Sequence, residues 1–198
     1  FFTISSFLFV VFLNCSATIN IECNYSIQYC SILNRNLSTC EVNNLIIVQP
    51  NQIVNFVTGI RKNSSIVEFF SMSYPNKIHF MPKNIENFFP HLKKMKINNI
   101  ELKEIHQSDL KAFSELEYLD CEGNQLEYLE EDLFDNNLKL KRISLINNRI
   151  SMINPHVFDD LSELSSLWLN GNACELRGVD NNRIEVLKII QEVKKKCS

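Results

Sequence analysis

Hydrophobic residues in the second half of the chain recur at a fixed interval of 24 residues. The first apolar column holds Leu92, Leu116, Leu140 and Leu164, the second holds Met95, Leu119, Ile143 and Leu167, and the third holds Ile97, Cys121, Leu145 and Leu169. The second and third columns are two residues apart, which predicts a short strand with alternate side chains pointing inward. A period of this length predicts a stack of like structural units rather than one closed core.

The same pattern extends into the first half of the chain with a period of 25 residues. Val67, Phe70 and Met72 precede the clear repeats by that interval, and Val42, Leu45 and Ile47 precede them in turn. We therefore count six rungs, which start at Val42, Val67, Leu92, Leu116, Leu140 and Leu164. Stacked strands of this kind predict a parallel sheet whose inward side chains form a continuous core.

Two further columns describe the turns and the return path of each rung. Asn124, Asn148 and Asn172 share one position just after the strand, and Ile100 is the exception in that column. On the return path the bulky residues Leu110, Phe134 and Phe158 recur at 24, and a second slot holds Phe113, Asn137 and Leu161. The return segments have little helical periodicity, so we expect loops and single helical turns on the convex side.

The complete pattern reads L-x-x-L-x-L-x-x-N-x-L in Leu116–Leu126 and Leu140–Ile150. In this respect the chain resembles the extracellular leucine-rich repeat proteins, and it is similar to secreted arthropod members and to the ectodomains of Toll-like and adhesion receptors. The resemblance implies an α/β leucine-rich repeat solenoid, a horseshoe with a parallel β-sheet on its concave face and a disulfide-bearing cap at each end. It also implies that Asn124, Asn148 and Asn172 form an asparagine ladder bonded to the backbone of adjacent turns.

The chain divides into four predicted segments. The run Phe1–Leu13 is apolar but too short to span a membrane, and small residues at Cys15 and Ala17 fit a cleavage site, so residues 1–17 are interpreted as a signal peptide. Residues 18–41 are assigned to an N-terminal cap, 42–172 to the repeats and 173–198 to a C-terminal helical cap. No second apolar run follows, so we expect a secreted chain without a membrane span.

The helix of the C-terminal cap is predicted from the apolar residues Ile184, Leu187, Ile190 and Val193, which recur at helical spacing. Residues 180–182 offer candidate N-caps, and the three lysines at 194–196 lie at the favourable end of the helix dipole.

The two predicted caps suggest how the cysteines pair. The resemblance favours a Cys174–Cys197 bond at the C-terminal end, and Cys23–Cys40 is the preferred bond at the N-terminal end. Cys30 is left over, and either forms a disulfide with a partner chain or is a shielded thiol or part of a different internal pairing. Cys121 occupies an inward slot, which predicts a buried, inert thiol.

Composition narrows the chemistry. A net charge of −3 with a pI near 5.8 gives no basic surface for nucleic acid. Asn24, Asn36 and Asn63 begin glycosylation sequons, which agrees with a secretory route. The four histidines lack metal-ligand spacing, and no phosphate loop or nucleophile motif is present. We therefore expect no metal, no cofactor and no catalytic residue.

The outward strand positions remain as a candidate binding surface. The flanking column is Asn44, Phe69, Lys94, Tyr118, Arg142 and Ser166; the inner column is Ile46, Ser71, Lys96, Asp120, Ser144 and Trp168; the third column is Val48, Ser73, Asn98, Glu122, Ile146 and Asn170. From these columns we predict the following binding residues: Lys94, Lys96, Asn98, Tyr118, Asp120, Glu122, Arg142, Ser144, Ile146, Trp168 and Asn170.

Two features of this surface have alternative interpretations. Lys96 faces Asp120 and Glu117 faces Lys141, either as cross-strand ion pairs, which we favour, or as a charged binding patch. Trp168 is the only tryptophan, and it is either an exposed binding residue or a side chain packed under the C-terminal cap.

The function expected from the sequence is a secreted, non-enzymatic module that recognises an extracellular protein through its concave face. The resemblance suggests innate immune recognition, receptor-like binding or adhesion. The alternative is an extracellular structural or matrix protein that associates with itself, through Cys30 or through the concave face.

Overall fold

The computed structural model describes residues 18–31, 33–43, 45–59 and 66–197. The predicted signal peptide over 1–17 lies outside these ranges, as do Asn44 and the sequon residue Asn63. The predicted boundaries between the N-terminal cap, the repeats and the C-terminal cap remain predictions.

The described residues form short strands connected by turns, with few helices. The strands are β1 (Thr18–Cys30), β2 (Arg35–Val42), β3 (Ile46–Ile47), β4 (Ile53–Gly59), β5 (Phe69–Ser73), β6 (Lys77–Ile78), β7 (Lys94–Asn98), β8 (Tyr118–Asp120), β9 (Tyr128–Leu129), β10 (Arg142–Ser144), β11 (Met152–Ile153), β12 (Ser166–Trp168) and β13 (Gly178–Val179). The helices are a 3₁₀ turn (Ile85–Asn87), α1 (Gln107–Leu110) and α2 (Arg183–Lys196). The single turns on the convex side agree with the short return segments expected from the sequence.

One nine-stranded sheet runs the length of the molecule in the order β13-β12-β10-β8-β7-β5-β2-β1-β4. Strands β2, β5, β7, β8, β10 and β12 are parallel neighbours. The register places Leu119 beside Met95 on one side and Ile143 on the other, and Ile143 beside Leu167. The 24-residue period is therefore the spacing between adjacent strands, and the predicted solenoid is confirmed.

A single core runs under the sheet. Met95, Leu119, Ile143 and Leu167 are at most 1% exposed, and each contributes about 1.5–3 kcal/mol by burial. On the convex side the rings of Phe134 and Phe158 stack with centroids 6.0 Å apart. Neighbouring rungs thus share their apolar contacts, as expected for a structure in which a single unit cannot bury its own face.

A left-handed residue turns the chain away from each strand. Asn99, Gly123, Asn147 and Gly171 have φ values of 56°, 70°, 53° and 74°, and they too stand 24 residues apart. Only glycine and, less readily, asparagine adopt this conformation without a steric cost. The position therefore explains the Asn-Asn and Gly-Asn pairs at 147–148, 123–124 and 171–172.

The first rung is not where the 25-residue period places it. Cys40 and Val42 in β2 are the neighbours of Phe70 and Met72, so the expectation that Leu45 and Ile47 occupy those positions was wrong. Ile46 and Ile47 instead form β3, which pairs with β6 in a separate two-stranded sheet. Ile46 and Val48 consequently do not belong to the concave columns.

Antiparallel pairing explains this shift. β2 pairs with β1 over eight residues, from Cys23 opposite Val42 to Cys30 opposite Arg35, and the repeat pattern contains no signal for such a hairpin. The disulfide Cys23–Cys40 joins the two strands with a Cα–Cα distance of 5.1 Å. β1 pairs on its other side with β4. The N-terminal end thus continues the sheet instead of covering it.

The tip of the hairpin forms a second, smaller cluster at the sheet. Cys30, Leu37 and Phe69 are at most 5% exposed, and Leu33 packs against them. Arg35 on the same hairpin donates two hydrogen bonds, of 3.0 and 2.7 Å, to the Glu68 carboxylate just before β5. The tip is therefore anchored to the following rung by both apolar and charged contacts.

The C-terminal end is covered by a helix. Strand β13 pairs antiparallel with β12, and α2 then packs on the last rung through Val186, Ile189, Ile190 and Val193. The predicted apolar face was half wrong, because Ile184 and Leu187 are 70% and 47% exposed.

The ends of α2 are fixed as the sequence suggested. Asn182 is the N-cap, and its Oδ1 accepts a hydrogen bond from the Glu185 backbone at 3.1 Å. The bond Cys174–Cys197 ties the end of the helix to the turn after β12. None of the helices in the described ranges is long and apolar enough to cross a membrane.

Candidate protein interface on the concave face

Strand register aligns the outward side chains in three columns, as the sequence predicted from β5 onward. Phe69, Lys94, Tyr118, Arg142 and Ser166 are successive neighbours in the flanking column, and Ser71, Lys96, Asp120, Ser144 and Trp168 are successive neighbours in the inner column. In the third column Ser73 pairs with Asn98, and Glu122, Ile146 and Asn170 follow their strands. The face is therefore a continuous surface between the two ends.

The asparagine ladder fastens the rungs behind this face. The Nδ2 of Asn148 donates to the carbonyls of Cys121 and Leu145 at 2.9 and 3.1 Å, and its Oδ1 accepts from the Leu126 backbone at 3.1 Å. Asn124 and Asn172 make the corresponding bonds one rung to either side. Each amide thus satisfies backbone groups that would otherwise be buried without a partner.

The ladder has a member that the sequence pattern did not identify. Asn76 is 3% exposed, and its amide donates to the carbonyls of Val42 and Ser73 and accepts from the Leu45 backbone. It lies one residue beyond the expected position, and the asparagine beside Pro75 was the only signal for it. At Ile100 a backbone group takes this role, because the Ile100 carbonyl accepts a hydrogen bond from the Ile78 backbone at 2.8 Å.

Lys94 is held between two aromatic rings on the flank. Its Nζ lies 4.3 Å from the ring centroid of Phe69 and 5.0 Å from that of Tyr118. Burial lowers the pKa of Lys94, and the nearby Lys96 acts in the same direction. Burial also raises the pKa of the Tyr118 hydroxyl, with Asp120 adding to the effect. Lys94 and Tyr118 are therefore largely engaged with each other.

The charged residues of the face separate into paired and unpaired groups. Lys141 forms an ion pair with Glu117 at 2.5 Å, as expected from the cross-strand ladder. The expected pair between Lys96 and Asp120 does not form, because the Asp120 carboxylate instead accepts from the Tyr118 hydroxyl and the Glu122 backbone, each at 3.3 Å. Across the described ranges, Lys96 and Glu122 have no ion-pair partner.

The C-terminal cap reaches over the end of the face. Asp180 accepts a hydrogen bond from the Ser166 hydroxyl at 2.8 Å and forms an ion pair with Arg142 at 2.9 Å. The ring of Trp168 lies against Gly178 of β13, where a Cβ would collide with it. Trp168 is half-buried, so it both packs against the cap and presents part of its ring. Arg142, by contrast, is occupied by Asp180.

The remaining predicted residues lie at the inner part of the face. Asp120, Ser144 and Asn98 are 7%, 4% and 6% exposed, whereas Ile146 is half-buried and Asn170 is exposed. The Oδ1 of Asn98 is inaccessible and has no hydrogen-bond donor among the described residues. An unpaired buried amide oxygen costs about 1–3 kcal/mol, which makes Asn98 unusual on this surface.

The two cysteines outside the disulfides are both buried. Burial raises the pKa of the Cys121 thiol, and Asp120 acts in the same direction, so this thiol is unreactive as expected. Cys30 is 3% exposed, which corresponds to the shielded interpretation. A disulfide from Cys30 to a partner chain would require the cluster with Leu37 and Phe69 to open.

The described residues contain no group of three or more His, Cys, Asp or Glu side chains placed to hold a metal ion. Two of the sequon residues lie within the described ranges, and both of them, Asn24 on β1 and Asn36 on β2, are exposed. Their positions permit the attachment of a glycan, which stays a prediction.

The solenoid, the asparagine ladder and the capped ends define a leucine-rich repeat fold. Residues 122–173 match the family model described as "Leucine rich repeat". A comparison with curated proteins found no match. Proteins with this fold are generally non-enzymatic modules that bind other proteins.

Solved structures with a similar fold include leucine-rich repeat domains and ectodomains. The APL1 leucine-rich repeat domain is 18% identical with a TM-score of 0.51, over 77% of this chain and 43% of that one. A chain of the LRIM1/APL1C complex is 18% identical with a TM-score of 0.51, over 76% of this chain and 31% of that one. The leucine-rich repeat ectodomain of the receptor kinase SOBIR1 from Arabidopsis thaliana is 13% identical with a TM-score of 0.44, over 75% of this chain and 78% of that one. The chain thus spans less than half of the APL1 and LRIM1/APL1C chains.

Proposed function

We propose that this chain is an extracellular, non-enzymatic recognition module that binds a protein partner through its concave face. The observation that carries the proposal is the unpaired inner part of that face. Lys96, Glu122 and Ile146 are partly exposed, and Lys96 and Glu122 have no ion-pair partner within the described ranges. The three residues lie on or directly after strands that the asparagine ladder ties together. Rigid elements that present uncommitted side chains are well suited to binding because little ordering is needed on association.

Two further observations support the proposal. Both ends are closed by disulfides, which persist in oxidising compartments and favour an extracellular location. A chain of similar fold belongs to the solved LRIM1/APL1C complex, which favours a protein partner. Immune recognition, receptor-like binding and adhesion are all compatible with such a module.

The test uses two matched substitutions in one rung. Ile146→Arg places a long cation on the concave face, and Leu138→Arg places the same side chain at a 49% exposed apolar position on the convex side. Each variant and the unchanged protein are immobilised and exposed to extracellular fluid from the organism that makes the protein. The captured proteins are then compared by mass spectrometry.

The proposal expects a partner retained by Leu138→Arg and reduced at least about tenfold by Ile146→Arg, since a buried charge opposes association. Loss in Leu138→Arg alone would move the interface to the convex side. Capture of only further copies of this chain would favour the self-associating matrix protein instead, although the burial of Cys30 gives no support to a disulfide link.

A further inference from the structure

The two caps leave only part of the concave face without partners. Lys94 lies between aromatic rings, Arg142 is bound by Asp180, and Ser166 is hydrogen-bonded to the same carboxylate. The remaining residues are Lys96, Asn98, Glu122, Ile146 and Trp168, which we call the concave strip. They lie on or directly after four consecutive strands of one sheet.

The strip changes character along the stack. The β7 rung contributes the cation Lys96, the β8 rung contributes the anions Asp120 and Glu122, and the last two rungs contribute Ile146 and the ring of Trp168. Lys96 and Asp120 are register neighbours that nevertheless do not pair. A ligand that complements this order carries an anion, then a cation, then an apolar group.

Strand geometry gives the spacing of those groups. Parallel neighbours are about 4.8 Å apart, so three steps from Lys96 to Trp168 span about 14 Å. In an extended peptide lying across the strands, side chains on one face recur every two residues, or about 6.7 Å. Residues i and i+4 are then about 13 Å apart, and residue i+2 falls close to the acidic rung.

The buried amide of Asn98 is an independent indication of a peptide main chain. Its side chain is 6% exposed, and its Oδ1 has no donor among the described residues. A backbone N–H of a peptide that reaches this amide would supply the missing donor. A polar group that is buried and unpaired in the free protein is thereby satisfied on binding.

We propose that the concave strip binds an extended segment of a partner protein with the side-chain order acid-x-base-x-apolar. The acid pairs with Lys96, the base with Glu122, and the apolar side chain covers Ile146 and Trp168. This inference rests on the proposed function and names the chemistry of the partner segment.

The experiment uses two synthetic fluorescein-labelled peptides of identical composition. One contains Asp-Ser-Lys-Ser-Phe between Gly-Ser ends, and the other contains Lys-Ser-Asp-Ser-Phe between the same ends. Binding to the full chain is measured by fluorescence anisotropy at about 50 mM salt, where charges are weakly screened. The swapped peptide is mismatched in either chain direction, because its acid is the central residue and therefore meets Glu122 in both.

Two protein variants complete the design. In K96E with E122K the charge order of the strip is reversed without a change of net charge. In Lys111→Glu with Glu127→Lys the same exchange is made at exposed positions outside the concave face. We expect the unchanged protein and the second variant to prefer the first peptide about tenfold, and K96E/E122K to prefer the swapped peptide.

Equal binding of the two peptides, binding of neither, or an unchanged preference in K96E/E122K would overturn the proposal. These results differ from failure of the proposed function. If Ile146→Arg abolishes capture of a natural partner while the peptides are not distinguished, the concave face is an interface and only the acid-x-base-x-apolar order is wrong. If no partner depends on Ile146, the function itself is wrong.

Discussion

The two ends of this solenoid solve the same problem by different means. At the N-terminal end, β1, β2 and β4 continue the sheet beyond the first regular rung, and a disulfide crosses between paired strands. At the C-terminal end, β13 reverses direction and α2 covers the last rung, with a disulfide from a turn to the end of the helix. The first end adds backbone pairing, and the second removes apolar surface from water.

The comparison shows what a stacked structure needs at its ends. A terminal rung exposes both unpaired backbone groups and an apolar core, and each end deals more fully with one of these. The two strands of the N-terminal hairpin pair with each other over eight residues, whereas α2 buries four apolar side chains on the core. Loss of a disulfide should therefore have different structural consequences at the two ends.

The largest expected effect is the loss of either disulfide. Replacing Cys174 and Cys197 by Ser, or Cys23 and Cys40 by Ser, should lower the free energy of unfolding by about 3 kcal/mol in each case. The sequence separations are 23 and 17, which alters the loop-closure contribution by only about 0.3 kcal/mol. Urea unfolding followed by circular dichroism measures both losses.

The two disulfides are then separated by the emission of Trp168, which lies against the C-terminal cap. Loss of the Cys174–Cys197 bond should shift this emission to the red below the main transition, because β13 and α2 loosen first. Loss of the Cys23–Cys40 bond should leave it unchanged until global unfolding. An early shift in both variants, or in neither, would show that the ends do not respond independently.

A second comparison uses the ladder asparagines nearest the two ends. Asn76→Ala should cost about 2 kcal/mol, because the residue is 3% exposed and its loss leaves buried backbone groups unpaired. Asn172→Ala should cost about 1 kcal/mol, because this residue is half-buried and water can replace part of its bonding. Chemical denaturation of both variants measures the difference, and a larger loss at Asn172 would contradict the contrast.

The smallest expected effect is the pH dependence of two carboxylates. A hydrogen bond from Arg35 holds the pKa of Glu68 below its ordinary value of 4.5, and one from Lys194 lowers the pKa of Asp159. A carboxyl with a lower pKa when folded stabilises the protein above its unfolded pKa, and this contribution is lost as the pH falls through the folded value. Both contributions should be present at pH 7 and should shrink as the pH falls below the ordinary carboxyl pKa values of 4.5 and 3.8.

Glu68→Gln and Asp159→Asn are the matched variants. The Glu68 side chain is 22% exposed and that of Asp159 is 40% exposed, so solvent weakens the second pair more. We expect Glu68→Gln to lose up to about 1 kcal/mol at pH 7, Asp159→Asn to lose less, and both losses to shrink steadily as the pH is lowered. A loss that is the same at every pH would have a cause other than the charge.

Sequence reasoning succeeded where the signal is periodic. The inward columns and the ladder residues Asn124, Asn148 and Asn172 follow from the interval of 24, because each rung repeats the same local environment. The Cys174–Cys197 bond followed from the resemblance, Cys23–Cys40 was the preferred bond of the N-terminal cap, and both are formed.

It failed where contacts are not repeated. The hairpin of β1 and β2 has no counterpart in other rungs, so Leu45 and Ile47 were placed in a strand that Cys40 and Val42 occupy. The helix face was wrong because Ile184 and Leu187 satisfy the same helical spacing as Val186 and Ile189, and only the orientation of α2 on the last rung separates them.

The sequence predicted the columns of the candidate site, but it did not predict which of their side chains are bound by other residues of the chain. The contact of Asp180 with Arg142 joins a loop of the cap to a strand two rungs away, which no pattern in the sequence reveals. The contact of Lys94 with Phe69 and Tyr118, by contrast, joins successive members of one predicted column. Exposure on this face is therefore decided by the C-terminal cap as well as by the repeats.

The left-handed turn residues have a consequence for the length of the molecule. Because Asn99, Gly123, Asn147 and Gly171 recur with the ladder and the core at one interval, the chain between two equivalent points is a removable unit. A chain without residues 117–140 would place the strand of Arg142 directly beside that of Lys94, with Asn148 in position to bond the Ile97 carbonyl in place of Asn124. The number of rungs, and with it the distance between cation and tryptophan, is thus adjustable in whole steps without redesign of any single turn.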